Sequence, residues 1–163
     1  MTLTMRPAAQ SDLGAVLQWV PDQRSLTMWA GPGPSYPPSR ESIWEEIGAS
    51  TQNAFCLLNT AGGMAGFGQA LPLGQGIVHL ARLIVDPQQR NKGYGRLLCV
   101  RLMETARSRQ FVDRFTLNVC RDNDVALRLY HSLGFQPNSE SDAGSVIAMR
   151  LLTADRTEPR RPD

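Results

Sequence analysis

The stretch GIVHLARLIVD, residues 76–86, constrains this chain more than any other. It is nearly continuous in apolar residues, rich in β-branched side chains, and closed by Pro87. A run of that length and composition reads as a central strand buried on both faces. Such a strand needs neighbours and two covering layers, so the chain must build a sheet with helices packed on it. Directly behind it comes QQRNKGYGR (88–96), where Gly93 and Gly95 sit one residue apart before a helical pattern.

The rest of the 163 residues supply the neighbours and the layers. Residues 2–6 read as a strand stopped by Pro7. Ser11 or Asp12 is placed to cap a helix through Leu13, Val16, Leu17 and Val20. Residues 29–39, WAGPGPSYPPS, are dense in proline and glycine and read as a loop. Ser39 then caps a short helix carrying Ile43, Trp44 and Ile47. Residues 53–59 and 64–73 read as strands joined at Gly62-Gly63. After the glycine turn, Leu98, Leu102 and Ala106 recur every four residues, with Leu97 and Met103 widening the stripe into a helix of about fifteen residues. A strand (113–119), a helix over Val125–Leu133 ended by Gly134, and a strand (145–152) complete the order. The tail from 153 to 163 has no apolar period and reads as disordered. A mixed sheet with helices packed on it, in one domain over 1–152, is the expected architecture.

Charge and cysteines narrow the function classes. A net charge of +2 gives no footprint for nucleic acid. No run approaches the length of a membrane span, and the N-terminus lacks the layout of a signal peptide. Cys56, Cys99 and Cys120 lie far apart in apolar stretches, which reads as buried free thiols in a cytoplasmic protein. Two histidines without paired spacing give no metal site.

The glycine turn fits neither G-x-G-x-x-G nor G-x-x-x-x-G-K-[ST]. Its physics still suits an anion. A strand ends, a loop with Arg90 and Lys92 follows, and glycines open a helix whose first N–H groups have no intrahelical partner. A glycine turn before a helix is also a purely structural device, so the residues alone leave both readings open.

Two motifs together do more. LIVDPQQRNKGYGRLL resembles the acetyl-CoA-binding motif of the GNAT superfamily of N-acetyltransferases, strand–[RQ]-x-x-G-x-[GA]–helix, with Arg90, Gly93 and Gly95 in its fixed places. LNVCRDNDVALRLYHSLGF (117–135) resembles the second signature, N-x-x-A-x-x-L-Y-x-x-x-G-F after a strand, matched by Asn123, Ala126, Leu129, Tyr130, Gly134 and Phe135. MRPAAQSDL looks like the first strand and helix, so the resemblance covers residues 2–152. It implies a three-layer α/β (α+β) fold: a mostly antiparallel sheet of six to seven strands with about four helices, splayed near 83–85 and 117–119.

The resemblance also implies roles. Leu83, Ile84 and Val85 would pair by backbone with the pantetheine arm. Backbone amides of Arg90, Asn91, Lys92, Gly93, Tyr94, Gly95 and Arg96 would hold the diphosphate. Asn123 would bond the cofactor near the pantetheine, and doubles as a helix cap. Tyr130 would protonate the departing thiolate; without the motif it would pass as a core tyrosine. Acetyl would pass directly from acetyl-CoA to an amine, so the cysteines are not nucleophiles. Dimers are common in the family, but no interface is identifiable.

The base and the acceptor are not fixed by the motifs. An alkylamine with pKa near ~10.4 is neutral about 0.04% of the time at pH 7, equivalent to ~4.6 kcal/mol, whereas an α-amino group faces only about 1 kcal/mol. Family members often place a glutamate on the central strand or five residues before the asparagine. Here the central strand offers His79 and Arg82, and the second position is Asn118. Ribosomal-protein N-terminal acetyltransferases carry a glutamate there, so the departure argues against that substrate. His79 is the candidate base, directly or through water; otherwise it is a strand histidine with a backbone partner. Arg82 positions an acidic group of the substrate or serves as a structural ion-pair partner. Trp29 and Tyr36, with Trp44, either line the acceptor site or cover the core. Glu41, Glu45 and Glu46 are a solvated face or a lure for a cationic amine. A primary amine of a small molecule is the favoured acceptor. A macromolecular amine and a non-catalytic acyl-CoA sensor are the alternatives.

Overall fold

The computed structural model describes residues 3–138 and 144–153. Strand β1 (Thr4–Pro7) leads through a 3-10 turn (Gln10–Asp12) into α1 (Leu13–Trp19), α2 (Gln23–Ala30) and α3 (Arg40–Glu46). Three strands follow: β2 (Ala54–Leu58), β3 (Met64–Gly74) and β4 (Ile77–Val85). A 3-10 turn (Pro87–Gln89) then precedes α4 (Tyr94–Arg109), β5 (Arg114–Cys120), α5 (Asp124–Ser132), β6 (Gln136–Pro137) and β7 (Val146–Leu152).

The strands form one sheet in the order β1-β2-β3-β4-β5-β7-β6. Only β4 and β5 pair in parallel; the other neighbours are antiparallel. A parallel pair needs a long crossover, which α4 provides. Strand alternation then divides the apolar residues between two layers. Phe55, Leu57, Val78, Leu80, Phe115, Leu117, Val119 and Met149 pack with Leu98, Leu102, Tyr130 and Phe135 on the α4–α5 side. Ala54, Cys56 and Phe67 pack with Leu13, Val16, Leu26, Trp29 and Ile43 on the α1–α3 side.

The mixed, mostly antiparallel sheet agrees with the expectation, and four local expectations need correction. Five α-helices are present, because residues 23–30 form α2: Asp22 caps it by accepting the Ser25 N–H at 2.7 Å, and Gly31 ends it at φ 83°. Trp29 therefore belongs to a helix, and the irregular stretch begins at Gly31. Asp12 does not cap α1. It accepts the Ala9 N–H at 2.8 Å from within the 3-10 turn and pairs with Arg6 at 2.8 Å. β4 is fully buried only at Val78 and Leu80; from Ala81 to Val85 it is half-exposed. Finally, the two-residue strand β6 has no apolar pattern to announce it.

Ser39 caps α3 as expected, accepting from Ser42 N at 3.0 Å. Gly134, at φ 97°, ends α5, and the Phe135 N–H returns to Tyr130 O at 3.0 Å. Thr153, the first residue of the expected tail, is held through its hydroxyl to Val112 O and Asp113 O, both at 2.8 Å. The remaining tail lies outside the described residues. Among the described residues no helix is long and apolar enough to cross a membrane.

Candidate active site

The half-exposure of β4 marks where the sheet opens. β4 and β5 pair from Ile77–Arg114 to Leu80–Leu117 and then part, although β4 runs on to Val85 and β5 to Cys120. The register against β3 shifts at the same level: Gln69 faces Ala81 but Phe67 faces Ile84, so Gly68 stands opposite both Arg82 and Leu83. This is a β-bulge, and Arg82 takes φ 54° to make it. A non-glycine residue there is strained and bends the strand away from its neighbour. Leu83, Ile84 and Val85 thus border a V-shaped opening toward Asn118, Val119 and Cys120, where backbone groups on the β5 side have no strand partner.

Beyond β4 the chain turns under tight control. Asp86 accepts from Gln88 N and from Gln89 Nε2, each at 3.0 Å. Arg90, Asn91, Lys92 and Gly93 are exposed, with Asn91 at φ 63° and Gly93 at φ 79°. Gly93 is the N-cap of α4, and no side chain caps it. The first intrahelical bond joins Leu97 N–H to Gly93 O at 3.1 Å, so the amides of Tyr94, Gly95 and Arg96 come before it. The loop that carries Arg90 and Lys92 leads directly into three such amides and the positive end of the helix dipole, an arrangement that suits a diphosphate. Gly95 lies beneath: a Cβ there would stand 3.4 Å from Leu129 and 3.8 Å from Val85, so α4, α5 and the end of β4 meet at this point.

α5 contributes the two polar groups of the second motif. Asn123 is half-buried and caps α5, its Oδ1 accepting from Ala126 N at 3.2 Å. Tyr130 is 8% exposed and packs edge-on against Phe135, ring centroids 5.9 Å apart. Burial, with the nearby Cys99 thiol, pushes its hydroxyl well above the ordinary tyrosine range. Cys56 and Cys99 are themselves pushed up to about 12 by burial, which makes them inert thiols.

On the other face lie the residues expected to handle an acceptor. His79 is half-buried, and its Nδ1 stands 2.8 Å from Thr116 Oγ1 across the last paired rungs. Burial, and secondarily the Arg82 charge, lowers its pKa, so the ring is neutral near pH 7. Arg82 points into the α1–α3 layer, where Nη1 donates to Gln69 Oε1 at 3.0 Å and to Ile47 O at 3.4 Å. It forms no ion pair among the described residues, and its buried Nε has no partner. Its carbonyl accepts the Trp29 indole N–H at 2.7 Å. Trp29 is buried against Phe67, edge-on at 5.9 Å, while Tyr36 is 48% exposed in the loop before α3. Glu46 pins that loop by accepting Ser35 N–H at 2.6 Å. Arg24 of α2 reaches to 3.9 Å from Asp122, next to Asn123. Asn118 is exposed on β5.

Thr116 and Gln69 take part in this geometry without having been singled out in the sequence. Gln69, a polar residue inside the apolar run MAGFGQALPL, was a visible signal; Thr116 becomes relevant only through the β4–β5 register. A separate cavity of about 40 Å³ beneath Arg109 lies at the closed end of the sheet and has room for little more than water. Among the described residues no group of His, Cys, Asp or Glu is arranged to hold a metal ion.

Residues 16–135 match the Acetyltransferase (GNAT) family. The chain belongs to this family. An N-acetyltransferase 9-like protein of Nematostella vectensis is 30% identical over 93 residues, 53% of this chain and 47% of the relative. The chain thus spans about half the length of that curated relative. The spermidine N-acetyltransferase of Vibrio cholerae, solved with CoA and spermine, superposes with TM-score 0.72 at 17% identity, over 92% of this chain and 95% of its own. The ribosomal-protein-S18-alanine N-acetyltransferase of Escherichia coli does so with TM-score 0.68 at 20% identity, over 99% and 100%. At these identities the superpositions establish this family member's fold, and the acceptor has to be argued from its own residues.

Proposed function

We propose that this family member is an acetyl-CoA-dependent N-acetyltransferase that acetylates a primary amine of a small molecule. The observation that carries this is the opening between β4 and β5 at the Arg82 bulge, aligned with the uncapped N-terminus of α4. Bound acetyl-CoA supplies an activated thioester. The backbone of Leu83, Ile84 and Val85 offers it a strand edge, and the amides from Arg90 to Arg96 receive its diphosphate. Asn123 keeps its Nδ2 for the cofactor while Oδ1 caps α5.

Tyr130 holds its proton throughout the physiological range, because burial raises its pKa. It can therefore hand that proton to the departing thiolate as a general acid. His79 serves as base. For Nε2 to accept a proton, Nδ1 must carry the hydrogen, and the Thr116 hydroxyl 2.8 Å away is placed to accept it. A base is required for an alkylamine, which faces about 4.6 kcal/mol of deprotonation at pH 7. Asn118, in place of a glutamate, leaves no carboxylate at the second family position. The free cysteines, two of them buried, fit a reducing cytoplasm.

Calorimetric titration with acetyl-CoA, against adenosine diphosphate, tests the cofactor. Micromolar binding tighter than the nucleotide is expected, followed by amine-dependent thiol release. Absence of binding at millimolar acetyl-CoA would sink the proposal and return the glycine turn to a structural role.

A further inference from the structure

Beyond the α1–α3 layer the described residues place no apolar helical layer on the same sheet face. The apolar cluster under those helices takes no residue from β5, β6 or β7. Because Phe115, Leu117, Val119 and Met149 turn to the opposite core, alternation leaves Arg114, Thr116 and Asn118 of β5 and Arg150 of β7 on this face. Register sets His79, Thr116, Arg150 and Gln136 side by side across four strands. Arg114, opposite Leu152, is diagonal to Arg150. Strands β4 to β7 hold no aspartate or glutamate. Neither arginine forms an ion pair among the described residues, and the buried Nε of Arg114 has no hydrogen-bond partner. A cationic face whose strands carry no carboxylate among the described residues, and which runs directly into the His79–Thr116 pair, is complementary to an anion on the acceptor.

We propose that Arg114 and Arg150 form an anion subsite that binds the carboxylate of the acceptor while its amino group enters the opening beside Asn118. This rests on the function proposed above and names its substrate class. Two residues separate the Thr116–Arg150 rung from Asn118 and four separate Arg114 from it, so amine and carboxylate stand roughly 7–13 Å apart at ~3.3 Å per residue. An α-amino acid is too short for that span. An extended ω-amino acid fits it, and a polycation such as a polyamine is repelled.

The test compares three acceptors of matched length in steady-state thiol release with the full chain: ε-aminocaproate, n-hexylamine and hexamethylenediamine. ε-Aminocaproate should lead in kcat/KM by at least about tenfold, the range of one charge-assisted contact, with the advantage in KM. R114Q and R150Q should each erase that lead, R150K should keep most of it, and the KM for acetyl-CoA should stay put in all three. Melting curves confirm that the variants fold. A binding arm does not need turnover: adipate should shift the arginine side-chain resonances of the wild type and not those of R150Q. Equal or better use of n-hexylamine or the diamine overturns the subsite, as does an adipate titration that moves nothing. Should no amine be acetylated, the catalytic reading fails, and the adipate arm still decides whether the anion site exists.

Discussion

The two helical layers are fastened to the sheet by different physics. On the α4–α5 side the contact is apolar and close: a Cβ on Gly68 would come within 2.8 Å of Leu102 and 3.3 Å of Leu83. On the α1–α3 side an apolar cluster is also present, but a buried polar junction runs through it. Gln69 is fully buried and donates to Ile47 O at 3.2 Å and Asn53 Oδ1 at 3.4 Å, while Arg82 bonds both Gln69 and Ile47. The first layer is set by volume and the second by the pairing of polar groups, one of which is the bulge residue itself. Helices α2 and α3 are therefore tied to the bulge of β4, through Trp29 and Ile47.

The largest expected effects test the chemistry that these layers bring together. Tyr130→Phe removes one hydroxyl from the apolar layer and should lower kcat by about 100-fold or more, with acetyl-CoA affinity unchanged. Calorimetry and turnover on the same preparation check it; an unaltered kcat would remove Tyr130 from the role of general acid. His79→Gln should lower kcat/KM by about 100-fold for an alkylamine and barely affect an aryl amine, whose nitrogen is already neutral. Equal losses for both amines would remove His79 from the role of base.

Next come the layers themselves, compared by denaturant unfolding. Gly68→Val overpacks the close contact and should cost about 1–3 kcal/mol. Gln69→Leu leaves Ile47 O and the Arg82 guanidinium short of partners and should cost about 1–3 kcal/mol as well. The difference lies in coupling. In an Arg82→Met background the Gln69→Leu loss should shrink, because one stranded partner is gone, while the Gly68→Val loss should persist. Additive losses for Gln69 and Arg82 would show that the polar junction is not a unit.

The same contrast explains what the sequence could reveal. Gly93, Asn123 and Gly134 were legible because each acts through local backbone, as a left-handed turn, an N-cap and a helix end, whereas Gly95 and Tyr130 were read only through the motifs. The α1–α3 side was harder. Helix α2 hid because its capping pair, Asp22 and Ser25, and its apolar positions Leu26, Trp29 and Ala30 are wedged between Pro21 and the proline-rich loop. Trp29 could be weighed as wall or core, but its bond to Arg82 O joins residues 53 positions apart. The bulge was invisible because arginine seldom adopts positive φ, so nothing at position 82 announces it. The half-exposure of β4 follows from the parting of β5, which is a property of the sheet and not of the strand.

The smallest expected effect is a pH dependence, and both groups that set it lie on the α1–α3 side of the sheet. Burial lowers the His79 pKa below its unfolded value of about 6.5, with Arg82 adding to the shift. Below that pH the unfolded chain takes up a proton that the folded ring refuses, so stability is retained above about 6.5 and falls as pH drops toward the folded pKa. Asp12 acts in a lower window: the Arg6 hydrogen bond and the Ala9 N–H depress its pKa, so its contribution is present above about 3.9 and lost as pH falls through the folded value. Urea midpoints measured from pH 7 down to pH 5 should therefore decline more steeply for the wild type than for His79→Gln, and the two should share the later loss below about pH 4. Parallel curves between pH 7 and pH 5 would mean that the folded protein admits a protonated His79, and the acceptor face would then carry that charge beside Arg114 and Arg150.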